Sequence, residues 1–274
     1  MRVVVTGATG TVGAAVLRQL RADGHEAVAA VPDPGAVEGL SVRFDVLDAS
    51  THRPAFAGAD GLFLMRPPQF GGAALDPVVA AAVAGGVRRV AFLSVLGAGQ
   101  NPLLPHRRTE RRLEEAPVDA ALLRAAYFMQ NLSGVHAAEV RAGRLDVPAG
   151  AGRTSMVDAR DVAEVAAVWL ASGVPGTRAL DLTGPEAVDM FEVARVLSEV
   201  TGRRVDYRRP GALAFARRRL GAGDPPTFAA VTTAIYTATR LGLADAVTDT
   251  VERVLGRPPR DLRSFAEDHR EAWA

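Results

Sequence analysis

The sequence predicts an α/β protein, a doubly wound parallel sheet carrying a small, mainly helical C-terminal cap. Three observations predict it. A β-branched run, Arg2 to Thr6, leads directly into glycines at 7, 10 and 13 and then into a helical pattern. Short apolar runs alternate with helical segments as far as Arg124, the pattern of right-handed strand–helix–strand units in a parallel sheet. From Tyr127 the alternation loosens and helical patterns dominate.

Each element has its own justification. The run Arg2 to Thr6 is continuously apolar, as a strand covered on both faces must be. Val12, Val16, Leu17 and Leu20 share one side of a helix over Val12 to Arg21, with Gly24 as its C-cap. A second strand spans Glu26 to Val31 and ends in the turn-forming Pro32, Asp33, Pro34 and Gly35. A third spans Val42 to Val46. A fourth spans Gly61 to Met65, closed by Arg66, Pro67 and Pro68. Asp76 is placed to cap a helix over Pro77 to Ala84. Arg89 to Ser94 is a fifth strand, His106 to Glu115 a charged helix and Ala120 to Arg124 a sixth strand.

Beyond Tyr127, Asp158 to Leu170 is a helix with Val162, Val165, Ala166 and Trp169 on one face. Ala179 to Thr183 is a strand. Asp189 caps a helix from Met190 to Val200 that Gly202 stops. Arg203 to Tyr207 is a short strand, and helices follow at Thr227 to Leu241 and Asp261 to Trp273. No internal repeat or low-complexity linker interrupts the pattern. The expected division is a sheet domain over 1–155, to which helix 158–170 and strand 179–183 return, and a cap over 184–274. Ligands of such sheets bind outside the carboxyl ends of the strands, here between sheet and cap.

Composition narrows the function classes. Hydrophobic residues make up 48% of the 274, enough for a full core. The Ala- and Val-rich stretch Leu75 to Ala91 is broken by Asp76, Gly85, Gly86 and paired arginines, so it reads as a helix and a strand, not a membrane span. The first strand starts at residue 2, which leaves no room for a signal peptide and implies a cytoplasmic protein. Cysteine is absent, so disulfide and thiol chemistry are excluded. A net charge of +1 gives no reason to expect nucleic acid or an acidic membrane as partner. The five histidines, at 25, 52, 106, 136 and 269, show no metal-ligand spacing. Lysine is absent too: all 32 basic residues are arginine. No Tyr-x-x-x-Lys dyad, Schiff base or lysine general base is therefore available.

The N-terminal stretch carries the clearest chemistry. A strand, a glycine turn and a helix mouth together place free N–H groups and a positive dipole end where an anion can sit. Gly7 permits the tight turn, Gly10 lets backbone approach a pyrophosphate, and Gly13 lets the helix pack close to the strand. The bland alternative is a tight turn without a ligand. Position straight after a strand and before a helix is the context that separates the two.

The G-x-x-G-x-x-G spacing, with Thr6, Ala8 and Thr9 around the glycines, resembles the extended and atypical branches of the short-chain dehydrogenase/reductase superfamily. More of the chain is similar to one of these branches. VTGATGTVG at Val5, FLSVLGA at Phe92, HRRTERRLEEA at His106 and LLRAAYFMQNL at Leu122 come in order. MVDARDVAEVA at Met156, LDLTGPEAV at Leu180 and GRPPRDLRSFAEDH at Gly256 follow. Together they resemble the NmrA-like atypical short-chain dehydrogenases/reductases, close to the type 2 quinone oxidoreductases.

The resemblance implies a Rossmann-like domain binding NAD(P)H, a small-molecule aromatic substrate, and a monomer or homodimer. It implies a reductase of quinones or aromatic, polyketide-like ketones, of the kind found in secondary metabolism. Its other branch is a non-catalytic dinucleotide-binding redox sensor. On the glycine loop, Gly7, Thr9, Gly10, Thr11, Val12 and Gly13 would hold the cofactor, and Asp45 and Val46 would flank the adenine. The latter two read equally as a plain strand end. Many relatives pair an arginine after the second strand with the 2′-phosphate of NADP. Here Pro32 and Asp33 stand there, which suits a free ribose hydroxyl. The family favours NADP(H) over NAD(H), and Thr9 and Thr11 could bond a phosphate.

Two side chains compete for the role of proton donor. Ser94 sits where the superfamily keeps a serine. His106 and Glu110 fall where its tyrosine and lysine would stand, four apart on one helix face. There His106 could donate a proton near neutral pH with Glu110 orienting it. A solvated pair at a helix N-terminus reads as well. Tyr127, after the sixth strand, is the other candidate, at an ordinary pKa of about 10 unless Arg124 helps. Otherwise it is a pocket or core wall. Met129, Gln130 and Asn131 would line the same pocket. Arg66 could contact a cofactor phosphate or an acidic substrate, or be a surface arginine beside Pro67.

Overall fold

The computed structural model describes residues 1–67 and 69–274; Pro68, expected to help close the fourth strand, lies outside the described residues. The chain forms two compact units. The first comprises Met1–Ala125, Ala159–Leu182 and Thr250–Arg257, and the second Ala126–Asp158, Thr183–Asp249 and Pro258–Ala274.

The first unit is built on a seven-stranded parallel sheet of the Rossmann-like kind. Its strands are β1 (Arg2–Thr6), β2 (Glu26–Val31), β3 (Ser41–Arg43), β4 (Gly61–Met65), β5 (Arg89–Val95), β6 (Asp119–Ala125) and the strand Arg178–Leu182. In space the strand Arg178–Leu182 comes first, then β6, β5, β4, β1, β2 and β3, and every neighbouring pair is parallel. Val3, Val4, Val5, Leu62, Phe63 and Leu64 are fully buried, as the continuous apolar runs of a two-sided sheet require.

Strand order reverses between β1 and β4, where Val3–Val5 pair with Gly61–Phe63. The crevice beyond the carboxyl ends at such a reversal is where open parallel sheets take ligands. Thr6 ties the two strands at that end. Its hydroxyl donates to the Phe63 carbonyl at 3.1 Å and accepts the Met65 N–H at 3.0 Å.

Helix α1 (Thr11–Ala22) follows the glycine turn and buries Val12, Val16, Leu17 and Leu20, the side read from the sequence. Gly24, at φ +78°, turns the chain out of it. Helices α2 (His52–Phe56), α3 (Asp76–Ala84) and α4 (Pro105–Glu114) follow β3, β4 and β5. The helix Ala159–Ser172 buries Val162, Val165, Ala166 and Trp169, as its periodicity required.

Several elements differ from expectation. The third strand stops at Arg43 instead of reaching Val46, because Phe44 turns into the core and Asp45 opens a turn by accepting the Leu47 N–H. Asp76 is the first residue of α3, not its cap, and its carboxylate pairs with Arg108 at 2.6 Å. The domain boundary near residue 155 also moves. Tyr127–Phe128 pair with Arg153–Val157, so Ala126–Asp158 belongs to the second unit. In return Thr250–Arg257 joins the first, where Arg257 forms ion pairs with Asp161 at 2.8 Å and Glu164 at 2.5 Å.

The second unit is mainly helical, as expected, and adds short strands that the sequence did not announce. Tyr127–Phe128, Arg153–Val157 and Ala187–Asp189 form a three-stranded sheet, and Arg144–Asp146 pairs with Asp206–Arg208. Helices span Met190–Thr201, Ala212–Gly221, Pro226–Arg240 and Leu262–Asp268. The expected cap and stop are present: Asp189 Oδ1 accepts the N–H groups of Phe191 and Glu192, both at 2.9 Å, and Gly202 lies at φ +67°. Its core gathers Leu132, Met156, Val193, Leu197, Phe265 and Trp273. The Trp273 indole donates to the Leu132 carbonyl at 2.9 Å.

Candidate active site

The glycine turn divides its work three ways. Gly7 holds φ +62°, and a Cβ there would lie 2.0 Å from the Met65 sulfur. A Cβ on Gly13 would lie 2.2 Å from the Gly7 carbonyl oxygen. Both positions are therefore fixed by the protein itself. Gly10 is different: a Cβ there would meet only the Gly7 oxygen, at 3.3 Å. It is the N-cap residue of a twelve-residue helix that no side chain caps, in extended backbone at φ −88°. Thr9, Gly10 and Thr11 are exposed, whereas Val12 and Gly13 are buried. The first-turn N–H groups of α1 thus open at the strand-order reversal without a protein cap. That is the donor set a pyrophosphate needs, and the turn fits a dinucleotide.

Beside it, Asp45 and Val46 occupy a loop and not a strand end. Asp45 accepts the Leu47 N–H at 2.9 Å, its own N–H donates to Thr51 Oγ1 at 3.0 Å, and its carbonyl meets His52 Nε2 at 2.9 Å. Val46 packs against the sheet core. Arg66 is half-buried, which lowers its pKa, and its guanidinium donates to the carbonyls of Pro67, at 3.1 Å, and Phe70. The Arg66 contacts described here are to its own loop.

The presumed acid pair is rearranged. Glu110, wholly buried, does not orient His106. Its carboxylate accepts Ser94 Oγ at 2.7 Å, Arg124 Nε at 2.9 Å, Arg124 Nη2 at 2.8 Å and Arg107 Nη1 at 3.1 Å. Burial raises its pKa, but the hydrogen bonds from Arg124 and Ser94 and the charge of Arg124 more than offset this and leave it below the ordinary carboxylate range. Ser94 gives its single proton to Glu110. The bidentate pair commits the Arg124 guanidinium to Glu110. His106 carries no proton to donate from an imidazolium at neutral pH. Burial first, then repulsion from Arg66, pushes its pKa down to about 4, against a pull upward from Glu110. Its Nδ1 is buried without a hydrogen-bond partner.

In the second unit Tyr127 is partly buried and its hydroxyl meets that of Tyr236 at 2.6 Å. Burial pushes the Tyr127 phenol up to about 12, while Tyr236 and Asn131 pull it down. Asn131 therefore stands by the Tyr127 hydroxyl. Gln130 Nε2 donates to Asp158 Oδ1 at 2.8 Å. Met129, expected on a pocket wall, is a core residue, with its N–H donated to the Val157 carbonyl at 3.0 Å. Sequence reading took Tyr236, with Phe215 and Phe228, for an aromatic of an enclosed pocket, gave His136 no role and missed Glu139. His136 Nε2 meets Tyr236 Oη at 2.5 Å and its Nδ1 meets Glu139 Oε2 at 3.1 Å. The i, i+3 spacing of His136 and Glu139 was the one available signal. Among the described residues there is no cluster of His, Asp and Glu able to hold a metal, and no helix is long and apolar enough to cross a membrane.

Comparisons with known proteins agree with this geometry. The NmrA-like family matches residues 1–217. The uncharacterized oxidoreductase YesF of Bacillus subtilis is 31% identical over 277 residues, covering 99% of this chain and 96% of that one. The NAD(P)H azoreductase of Xenophilus azovorans is 29% identical over 289 residues, covering 99% of each. Among solved structures, the NADPH-dependent quinone oxidoreductase of Escherichia coli complexed with NADPH superposes with a TM-score of 0.85 at 25% identity, covering 98% of this chain and 99% of that one. With the glycine turn, the strand-order reversal and these matches in hand, the chain belongs to the NmrA-like family.

Proposed function

We propose that the chain is an NAD(P)H-dependent reductase that transfers hydride to a quinone or an aromatic, polyketide-like ketone, with NADP(H) preferred to NAD(H). Its relatives are named as oxidoreductases, and two of them as NAD(P)H- or NADPH-dependent. The single observation that carries the reading is the uncapped mouth of α1 at Gly10, where a Cβ would press only on the Gly7 carbonyl oxygen, at 3.3 Å, far less than at Gly7 or Gly13. Gly7, Thr9, Gly10, Thr11, Val12 and Gly13 would hold the dinucleotide there. When bound, the reduced nicotinamide supplies the hydride.

The choice of acceptor follows from what the chain lacks. With no lysine it has no cation to acidify a tyrosine in the superfamily's usual way, and His106 is neutral at working pH. Hydride delivery to a quinone leaves a phenolate, far less basic than the alkoxide of a simple ketone. A phenolic polycyclic ketone can draw on its own hydroxyl. Such acceptors ask chiefly for positioning, which alone can contribute about 7–11 kcal/mol. Tyr127 supplies the proton, with Asn131 beside it.

The test is NADPH and NADH consumption with a panel of quinones, aromatic ketones and simple aliphatic ketones. Quinones or aromatic ketones should turn over well above aliphatic ones. Equal turnover of aliphatic ketones sinks the acceptor assignment, and tight dinucleotide binding without turnover on any acceptor would make the chain a sensor.

A further inference from the structure

Three polar groups from distant parts of the chain meet in the apolar interior of the second unit. Tyr127 lies on the strand Tyr127–Phe128, His136 just before the short helix Ala137–Arg141, and Tyr236 on the helix Pro226–Arg240. Their contacts run in a line: Tyr127 Oη to Tyr236 Oη at 2.6 Å, Tyr236 Oη to His136 Nε2 at 2.5 Å, and His136 Nδ1 to Glu139 Oε2 at 3.1 Å. His136 and Tyr236 are 2% and 3% exposed, whereas Tyr127 is only partly buried. Phe215 packs edge-on against the Tyr236 ring, centroids 5.7 Å apart, and fixes its orientation.

The far end of the line is anchored by charge. Glu139 pairs with Arg218 at 3.1 Å, and Arg218 pairs in turn with Asp146 at 2.7 Å. Arg219 acts on both phenols from the same helix, Ala212–Gly221. These are the charged groups that face the histidine and the two phenols from the elements packed around them. The Glu139 carboxylate at Nδ1 orients the ring and turns Nε2 toward Tyr236. Tyr236 has one proton and two partners, so it can present that proton to His136 or to Tyr127. The two arrangements differ by a single transfer along bonds already short.

We propose that Tyr127, Tyr236 and His136 form a proton relay, in which Tyr127 protonates the oxygen of the reduced substrate and His136, held by Glu139, restores that proton through Tyr236. The proposal rests on the reductase reading above. Hydride transfer brings both electrons and leaves an oxyanion on the substrate. A new O–H bond forms there as the Tyr127 O–H breaks. Tyr127 takes the Tyr236 proton, Tyr236 takes the proton on His136 Nε2, and His136 ends neutral with its Nδ1 proton still on Glu139. Once product leaves, solvent at Tyr127 returns a proton along the same path. Burial keeps both phenols protonated between turnovers. Tyr127 is the catalytic residue of this scheme; Tyr236, His136 and Glu139 are positioning residues that recharge it.

The experiment compares the full-length wild type with Tyr127→Phe, Tyr236→Phe and His136→Gln, using NADPH and an aromatic ketone. Tyr236→Phe keeps the ring against Phe215, so it carries the test if His136→Gln fails to fold. The relay predicts that each variant lowers kcat by about a hundredfold, the lower end of general acid catalysis, with KM little changed. Wild-type kcat should fall as pH rises, and both relay variants should lose that limb.

Relay variants that keep wild-type kcat and pH profile overturn the proposal while the reductase reading stands. So does a loss confined to Tyr127→Phe. A wild type inert toward every acceptor overturns the reductase reading and the relay together.

Discussion

Replacing Gly10 by alanine separates what the fold needs from what the ligand needs. A Cβ at Gly10 meets only the Gly7 carbonyl oxygen, at 3.3 Å, and the backbone there, φ −88° and ψ 169°, suits any residue. The expected loss of stability is glycine's modest advantage over alanine at an N-cap, about 0.5 kcal/mol. In a chain of this size that is a melting shift of about 1–2 °C. The new methyl nevertheless stands in the uncapped helix mouth. If a pyrophosphate lies against that backbone, the overlap resembles an overpacked core and should weaken binding by about 1–3 kcal/mol, or roughly 5-fold to 150-fold in Kd.

Gly13→Ala is the contrasting control. Its Cβ would lie 2.2 Å from the Gly7 oxygen and 2.6 Å from the Gly7 carbonyl carbon, where contacts normally sit at about 3.5–4.0 Å. Backbone must move, and the melting temperature should drop by several degrees even without ligand. The assay is NADPH titration by fluorescence or calorimetry alongside thermal melts. Wild-type NADPH affinity in Gly10→Ala refutes the cradle, as does a Gly10→Ala protein that loses affinity only because it has unfolded.

Three further outcomes follow from the geometry. The folded state resists protonation of His106, whose pKa is pushed from the ordinary 6.5 down to about 4 by burial and Arg66. Its contribution to stability is therefore intact above the unfolded pKa and lost as pH falls from 6.5 toward about 4. Denaturant unfolding at stepped pH should show that slope, and His106→Asn should flatten it; an unchanged slope means His106 is not held neutral. Thr6→Val should cost about 1–3 kcal/mol by stranding the Met65 N–H between β1 and β4; a neutral result in denaturant titration would show that water or a shifted backbone replaces the hydroxyl. Asp189→Ala should cost about 1 kcal/mol by uncapping Met190–Thr201, read as a lowered unfolding midpoint, and no change would mean the cap is redundant.

The first half of the chain was legible because its strands are buried on both faces and announce themselves as unbroken apolar runs. The same holds for the amphipathic helices Thr11–Ala22 and Ala159–Ser172, and for the cap and stop at Asp189 and Gly202. The stretch from Tyr127 to Asp158 was not legible. Its strands are two to five residues long, too short for a period of two to be told from irregular chain. Their partners lie far off in sequence, so the second unit's boundary was misplaced with them. At the site, the glycine turn could be read from spacing alone. The Ser94–Glu110–Arg124 cluster could not, because Glu110 faces across the sheet to β5 and β6 rather than along its own helix to His106. Nor could the Tyr127–Tyr236–His136 line, whose first two members are 109 residues apart.

The central claim is that hydride leaves a bound dinucleotide for a quinone or an aromatic ketone. The most direct measurement is a single turnover of the protein with NADPH deuterated on the nicotinamide ring and an aromatic ketone, with mass analysis of the product. Deuterium on the carbinol carbon, from one face of the nicotinamide only, is the predicted result. Tight binding of the labelled cofactor with no deuterium in the product of any acceptor would contradict the account.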